Sequence, residues 1–198
     1  DENNVVETYN NDGELVLIEY PNGISETLNY ESITDNGQIS RRLVNVVNNF
    51  GKFIDFNYNE DNRITSVEDD TGRRWNYDYD LAGNLVRVDN PDSTSKQYHY
   101  ENIEYPNLLT GETDERGIRY STFIYQDDGR AKVSFLGSPG TALQNQIERI
   151  EVNYGGGRSN AVTDSLGNTT RYYFPRSSIH GRVVKIDGPE CYFCSTPD

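Results

Sequence analysis

The chain has 198 residues, of which 34% are hydrophobic and 12% aromatic, with 15 tyrosines and a formal net charge of −14. That excess of acid excludes a surface for nucleic acid or anionic lipid, both of which require basic patches. No apolar run is long enough to span a bilayer, and neither membrane insertion nor a signal peptide is read. Few aliphatic residues and many tyrosines, whose rings cover apolar surface while the hydroxyl stays wet, predict thin sheets rather than a thick core. No methionine occurs, not even at position 1, so the chain is expected to be a mature product or an excised fragment.

A repeat dominates the sequence. Tyr9 to Tyr30 is a step of 21 residues, and Gly13, Leu15, Ile18 and Pro21 match Gly83, Leu85, Val88 and Pro91. Tyr30 to Tyr58 takes 28 residues; the seven extra ones fall around Thr34–Ile39 and predict a longer hairpin loop. Tyr58–Tyr79 and Tyr79–Tyr100 are again 21 residues each, with Tyr77 and Tyr79 recurring as Tyr98 and Tyr100. Gly117, Gly129, Gly167 and Tyr172 carry the pattern onward in weaker form, through Asp114-Glu115-Arg116-Gly117, Tyr125–Gly129 and Val162–Tyr172. The expected organisation is one array over residues 1–198, with units at about 9–30, 30–58, 58–79, 79–100, 100–125, 125–154 and 154–174. Residues 175–198 form a C-terminal strand and cysteine-containing tail.

Each unit reads as two short strands and two turns. Trp75-Asn76-Tyr77-Asp78-Tyr79 alternates aromatic with polar, the period of a strand with one buried face. Asn11-Asp12-Gly13 and Ala82-Gly83-Asn84 are tight-turn signals, and Tyr20-Pro21-Asn22-Gly23 and Asn90-Pro91-Asp92 mark the second turn of a unit. One hairpin cannot bury its own face, whereas stacked hairpins can. The fold class expected is therefore all-β, a continuous antiparallel sheet of tandem hairpins. Leu143–Val152, the best helical candidate, reads equally well as loop and strand.

The run Tyr79-Asp80-x-x-Gly83-Asn84-Leu85-Val86-x-Val88-x-x-Pro91-Asp92, followed by Tyr98-x-Tyr100, resembles the YD repeat of RHS proteins. Tyr100-Glu101-Asn102, Pro106-x-Leu108-Leu109-Thr110-Gly111 and Thr113-Asp114-Glu115-x-Gly117 resemble a stretch common in bacterial RHS-repeat proteins, and Cys191-x-x-Cys194 falls where such chains carry a cysteine pair. Asn10, Asn59 and Gln126 depart from the Asp of the dipeptide. The resemblance implies a spiralling, curled sheet or partial β-shell, like the bacterial toxin cocoons and teneurin shells. Its partners would be the remainder of a longer RHS protein or further copies of the chain, with a toxin domain enclosed. The setting it implies is secreted, extracellular or on a bacterial cell surface.

Catalytic, cofactor and metal sites are not expected. The acidic pairs Glu60-Asp61, Asp69-Asp70 and Asp127-Asp128 fall at turn positions and read as solvated turn residues, although paired carboxylates can serve acid–base chemistry. His99 reads as a surface strand residue on the face opposite the tyrosines, and His180 as a loop residue. Gly155-Gly156-Gly157 lacks the Lys-Ser/Thr of a phosphate loop. Cys191 and Cys194 leave open a small disulfide, half a metal site or two free thiols. Trp75 reads as a core residue of the repeat. The functional expectation is a non-enzymatic structural segment that encloses or presents a toxin or effector domain. The alternatives are a glycan- or partner-binding adhesion module anchored by Tyr105, Phe135 and Phe193, and a filament subunit that adds end to end.

Overall fold

The computed structural model describes residues 4–35, 37–155, 158–175 and 182–189. The chain forms two compact units, Asp1–Tyr79 with Arg87–Ser95, and Asp80–Val86 with Lys96–Asp198. Within each unit the spatial order of the strands is their order in the chain, as hairpin-by-hairpin growth requires.

The first unit holds β1 (Val6–Tyr9), β2 (Leu15–Glu19), β3 (Ser25–Asp35), β4 (Gln38–Asn48), β5 (Phe53–Tyr58), β6 (Ile64–Asp69) and β7 (Arg74–Tyr79), each antiparallel to the next. The chain passes between units after Tyr79, within β8 (Leu85–Asp89) and at the start of β9 (Ser95–His99). The second unit continues with β10 (Gly111–Thr113), β11 (Arg119–Tyr125), β12 (Ala131–Leu136), β13 (Ile147–Tyr154), β14 (Ser159–Thr163), β15 (Thr169–Tyr173) and β16 (Lys185–Asp187). Among the described residues, helix is confined to a 3-10 turn at Leu143–Asn145, which leads into β13, so the candidate segment resolves as loop and strand.

The long second repeat departs from expectation. Its extra residues do not enlarge a loop. The β3–β4 ladder runs out to Asp35↔Gln38, so the insertion lengthens both strands to 11 residues and only Asn36 and Gly37 lie between them. An Asn-Gly pair suits a two-residue hairpin connection, and Gly37 has a φ of 77°.

The sheet is thin. Phe135, 3% exposed, is the one buried hydrophobic side chain among the described residues; Ser66, Asp69, Thr113, Asp114, Ser121 and Thr122 are the buried polar ones. In β7, half-buried Trp75, Tyr77 and Tyr79 alternate with exposed Arg74, Asn76 and Asp78. The register aligns Phe56, Val67 and Trp75 in a row on the aromatic face. The opposite face is tied by hydrogen bonds between polar side chains. Asn29 Nδ2 donates to Asn45 Oδ1 at 3.1 Å, and Asn45 Nδ2 donates to Asp55 Oδ1. Asn57 Nδ2 and Arg74 Nη2 both donate to Ser66 Oγ, at 3.1 and 2.8 Å. Such cross-strand pairs tie neighbouring strands together.

Candidate functional site

The repeated constellation is a turn joined to a tyrosine. In the turn at Asp80, the Asp80 amide donates to the Asn84 carbonyl at 3.0 Å and the Gly83 amide to the Asp80 carbonyl at 3.0 Å. Asp80 Oδ1 accepts from the Asn84 amide at 2.9 Å. The same bonds build the turns at Asn10, Asn59, Asn48, Asp69, Asp114 and Asp164. Asn can replace Asp in the dipeptide because the backbone amides of the turn bond Oδ1, while Oδ2 of Asp80 takes one further bond, from Asn84 Nδ2 at 2.9 Å. At Gln126, whose side chain is one methylene longer, Asp128 Oδ1 takes the Arg130 amide instead, at 3.1 Å. Gly13, Gly72, Gly83, Gly117, Gly129 and Gly167 have φ between 76° and 85°, the left-handed conformation that closes these turns.

Beside the turn, a β-bulge shifts the register against the return strand at Thr8/Tyr9, Asn29/Tyr30, Asn57/Tyr58 and Ile124/Tyr125. Past the bulge, the ladder to the following strand stops. The β6–β7 pairing begins at Ser66↔Asn76, so the Ile64 carbonyl has no strand partner there. Tyr79 supplies one, its hydroxyl donating to Ile64 O at 2.9 Å. The arrangement recurs three times. Tyr30 donates to Leu15 O at 2.9 Å, Tyr58 to Leu43 O at 2.5 Å and Tyr125 to Leu109 O at 2.7 Å. In each case the acceptor lies two residues before the ladder's end and the tyrosine three beyond its partner: Leu17↔Thr27, Asn45↔Asp55 and Gly111↔Thr122. Burial holds the Tyr58, Tyr79 and Tyr125 hydroxyls above their ordinary pKa, so they stay protonated donors. Arg42 lies over the Tyr58 ring at 4.4 Å and Arg63 over Tyr79 at 5.8 Å, each directly preceding the residue whose carbonyl is bound.

The other marker tyrosines differ. Tyr9 donates to Glu7 Oε2 at 2.7 Å within its own strand. Tyr77 stands on the aromatic face of β7, Tyr98 pairs with Glu112 across β9–β10, and Tyr172 pairs with Asn160 and Ile186. Burial raises the Tyr100 pKa as it does those of Tyr58, Tyr79 and Tyr125.

The stretch 99–119 forms a second knot of polar bonds in the second unit. Arg119 binds Glu101 through both terminal nitrogens, at 2.8 and 3.0 Å, and donates to Thr110 O at 2.8 Å. Thr110 Oγ1 donates to the His99 carbonyl at 3.0 Å. A Cβ on Gly111 would run into Arg119 and the Ser121 carbonyl, so glycine there makes room for the arginine. Asn102 Oδ1 accepts from the Glu104 and Tyr105 amides, both at 3.0 Å. Periodicity did not single out Glu101, Thr110, Gly111 and Arg119; the first three fall within the stretches Tyr100-Glu101-Asn102 and Pro106–Gly111 that carried the resemblance, and Arg119 had no signal. Leu15, Leu43 and Ile64 read as repeat positions and Leu109 as part of the resembling stretch, but not as acceptors; the signal for that role is their separation from tyrosine of 15 or 16 residues.

Several sequence readings are corrected. His99 is half-buried, with Nε2 2.7 Å from Thr113 Oγ1; burial, then the Arg119 charge, lower its pKa. Asp69 is buried rather than solvated, because Thr71 and Arg73 donate to its carboxylate, which holds its pKa far below the usual range. Asp70 pairs with Lys52 at 2.5 Å, and Asp128 with Arg130 at 2.5 Å. Phe135 is not an exposed anchor; Gly137 of the following loop lies against its ring. Tyr105 donates to Asp127 O at 3.0 Å with its ring against Gly129. Cys191, Cys194, His180 and Phe193 lie outside the described residues. Among the described residues, no group of three His, Cys, Asp or Glu side chains is placed to hold a metal, and no helix is long and apolar enough to cross a membrane.

An all-β array of hairpins, clamped by tyrosine at four of its junctions, defines the class of protein. Residues 58–95 match the RHS Repeat family. No curated protein matches the sequence. The crystal structure of TcdB2-TccC3 without its hypervariable C-terminal region is similar over 93% of this chain and 11% of that one, at 11% identity and a TM-score of 0.50. A second similarity, to the Photorhabdus luminescens Tc holotoxin pore with a mutated TccC3, covers 86% of this chain and 14% of that one. Its 12% identity and TM-score of 0.26 are too low to bear on the fold. The chain thus spans about a tenth of the first structure's length.

Proposed function

We propose that this chain is a structural, non-catalytic segment of a longer secreted or surface RHS-repeat protein, part of a wall that encloses a toxin or effector domain. The observation that carries the reading is the tyrosine clamp, repeated at four hairpin junctions, which makes each unit a brick whose polar groups hold its neighbour. The turn carboxylates are engaged in the same way, by backbone amides and nearby side chains rather than by a shared cleft. The mechanism is steric: the wall keeps the cargo from its surroundings, and the net charge of −14 keeps the wall soluble. The similarity to TcdB2-TccC3 supports the fold on which this reading rests.

The test is limited proteolysis of the native parent protein, followed by electron microscopy. A closed particle with a protease-protected domain is expected. A native product of 22.6 kDa with no larger parent overturns the proposal. The adhesion alternative has lost Tyr105 and Phe135 as free anchors. Saturable binding on a broad glycan array would restore it.

A further inference from the structure

The insertion in the second repeat builds a ribbon that the neighbouring strands do not accompany. β3 and β4 have 11 residues each, where β5, β6 and β7 have 6. β2 pairs with β3 only over residues 25–27, and β5 pairs with β4 only over residues 45–47. The β3–β4 ladder nevertheless continues to Asp35↔Gln38. From Glu31 to Asp35 the ribbon runs about 14 Å at 3.4 Å per residue. Among the described residues no strand covers either outer edge of this stretch, and the gap lies inside the chain, between paired strands. Two arginines brace its base against the turns on either side. Arg41 Nε pairs with Glu14 Oε1 at 2.9 Å, and Arg42 Nη1 donates to Asn62 Oδ1 at 2.7 Å. Free edges are ordinarily blunted by lysine, proline, a bulge or shortness. The β4 edge carries the two arginines. The β3 edge has no such device past the bulge at Asn29/Tyr30: Glu-Ser-Ile-Thr-Asp at 31–35 holds no basic residue and no proline and pairs in unbroken register. Glu31, Ser32 and Thr34 are exposed.

We infer that the outer edge of β3 over residues 31–35 docks an extended segment of a partner protein, basic in charge and with a β-branched residue opposite Ile33. Main-chain pairing supplies the contact, as when a peptide adds a strand to an exposed edge. Ile33 selects the β-branched residue across the pair. The two acids of the run and the chain's net charge of −14 select a basic segment, and the same charge repels a second copy of the chain. Such an arm needs no closed wall, so it stands or falls apart from the proposed function.

The probe is a fluorescent peptide, Gly-Lys-Thr-Val-Ser-Lys-Gly, titrated with the full chain and read by anisotropy. Its counterpart has Glu in place of each Lys. Saturable binding of the basic peptide alone is expected, weakening as salt rises, with hydrogen exchange slowed at the β3 amides that the β4 ladder leaves free. Two variants separate the edge from the rest of the chain. Thr34→Lys adds the charge that blunts an edge and is expected to raise the Kd about tenfold. Replacing residues 33–40 by Asn-Gly closes the hairpin directly after the Ser32↔Arg41 pair, keeps both bracing arginines, and is expected to abolish binding while the urea midpoint of the sheet stays. No saturable binding, equal binding of the two peptides, protection elsewhere than β3, or binding that survives both variants overturns the inference. So does a dimer of the free chain that Thr34→Lys dissociates, since the edge would then belong to a second copy.

Discussion

At the scale of single residues, this fold depends on side chains that complete main-chain hydrogen bonding. Tyr79→Phe keeps the ring and removes the donor to Ile64 O, leaving a part-buried carbonyl unpaired. A loss of about 1 kcal/mol is expected by urea titration, against under about 0.5 kcal/mol for exposed Tyr9→Phe. Gly111→Ala puts a methyl group into Arg119 and the Ser121 carbonyl. It should cost about 1–3 kcal/mol, the range for overpacking, and loosen the Glu101–Arg119 pair. Ser93 takes the place of the turn glycine at a φ of 68°. Ser93→Gly is therefore expected to raise stability by about 0.5 kcal/mol, the strain of a left-handed serine outweighing the added freedom of glycine.

At the scale of the element, the Asp turns predict how stability varies with pH. Asp80 is held below its ordinary pKa of 3.8 by Asn84, Asp114 by Arg116 and Asp164 by Asn168. A pKa lowered on folding contributes stability above the unfolded value and loses it as pH falls through the folded one. Thermal unfolding should therefore show a loss beginning near pH 4 and continuing below it. Asp80→Asn keeps Oδ1 and should fold normally at neutral pH while flattening this acid slope; Asp80→Ala should destabilise at both. The tyrosines act in the opposite sense. With pKa values above 10.0 in the fold, Tyr58, Tyr79, Tyr100 and Tyr125 contribute stability that is whole below pH 10 and is lost as pH rises through their raised values.

At the scale of the whole molecule, a sheet with one buried hydrophobic side chain among its described residues gains little from a common core and much from contacts between neighbours. A clamp mutation should act locally. In Tyr79→Phe, loss of hydrogen-exchange protection is expected to concentrate in β5–β7, whereas uniform loss along the chain would contradict nearest-neighbour stabilisation. The net charge of −14 opposes compaction, so raising ionic strength from low to physiological should raise the unfolding midpoint.

The amino-acid sequence alone determined the period, the all-β class and the positions of the turns. Each turn is built within five consecutive residues: Asp80 and Gly83 need only their own backbone and Asn84 to close one. Chemistry that local is written locally. Tertiary structure decided what crosses between strands. The target of each tyrosine depends on a bulge and on where a ladder ends, and the β3–β4 insertion became strand because its residues could pair out to Asp35↔Gln38. Tyr105 met the turn at Asp127 and Gly129, and His99 found Thr113 only after β9 and β10 had aligned. These contacts arise from register and packing, which no stretch of a few residues contains.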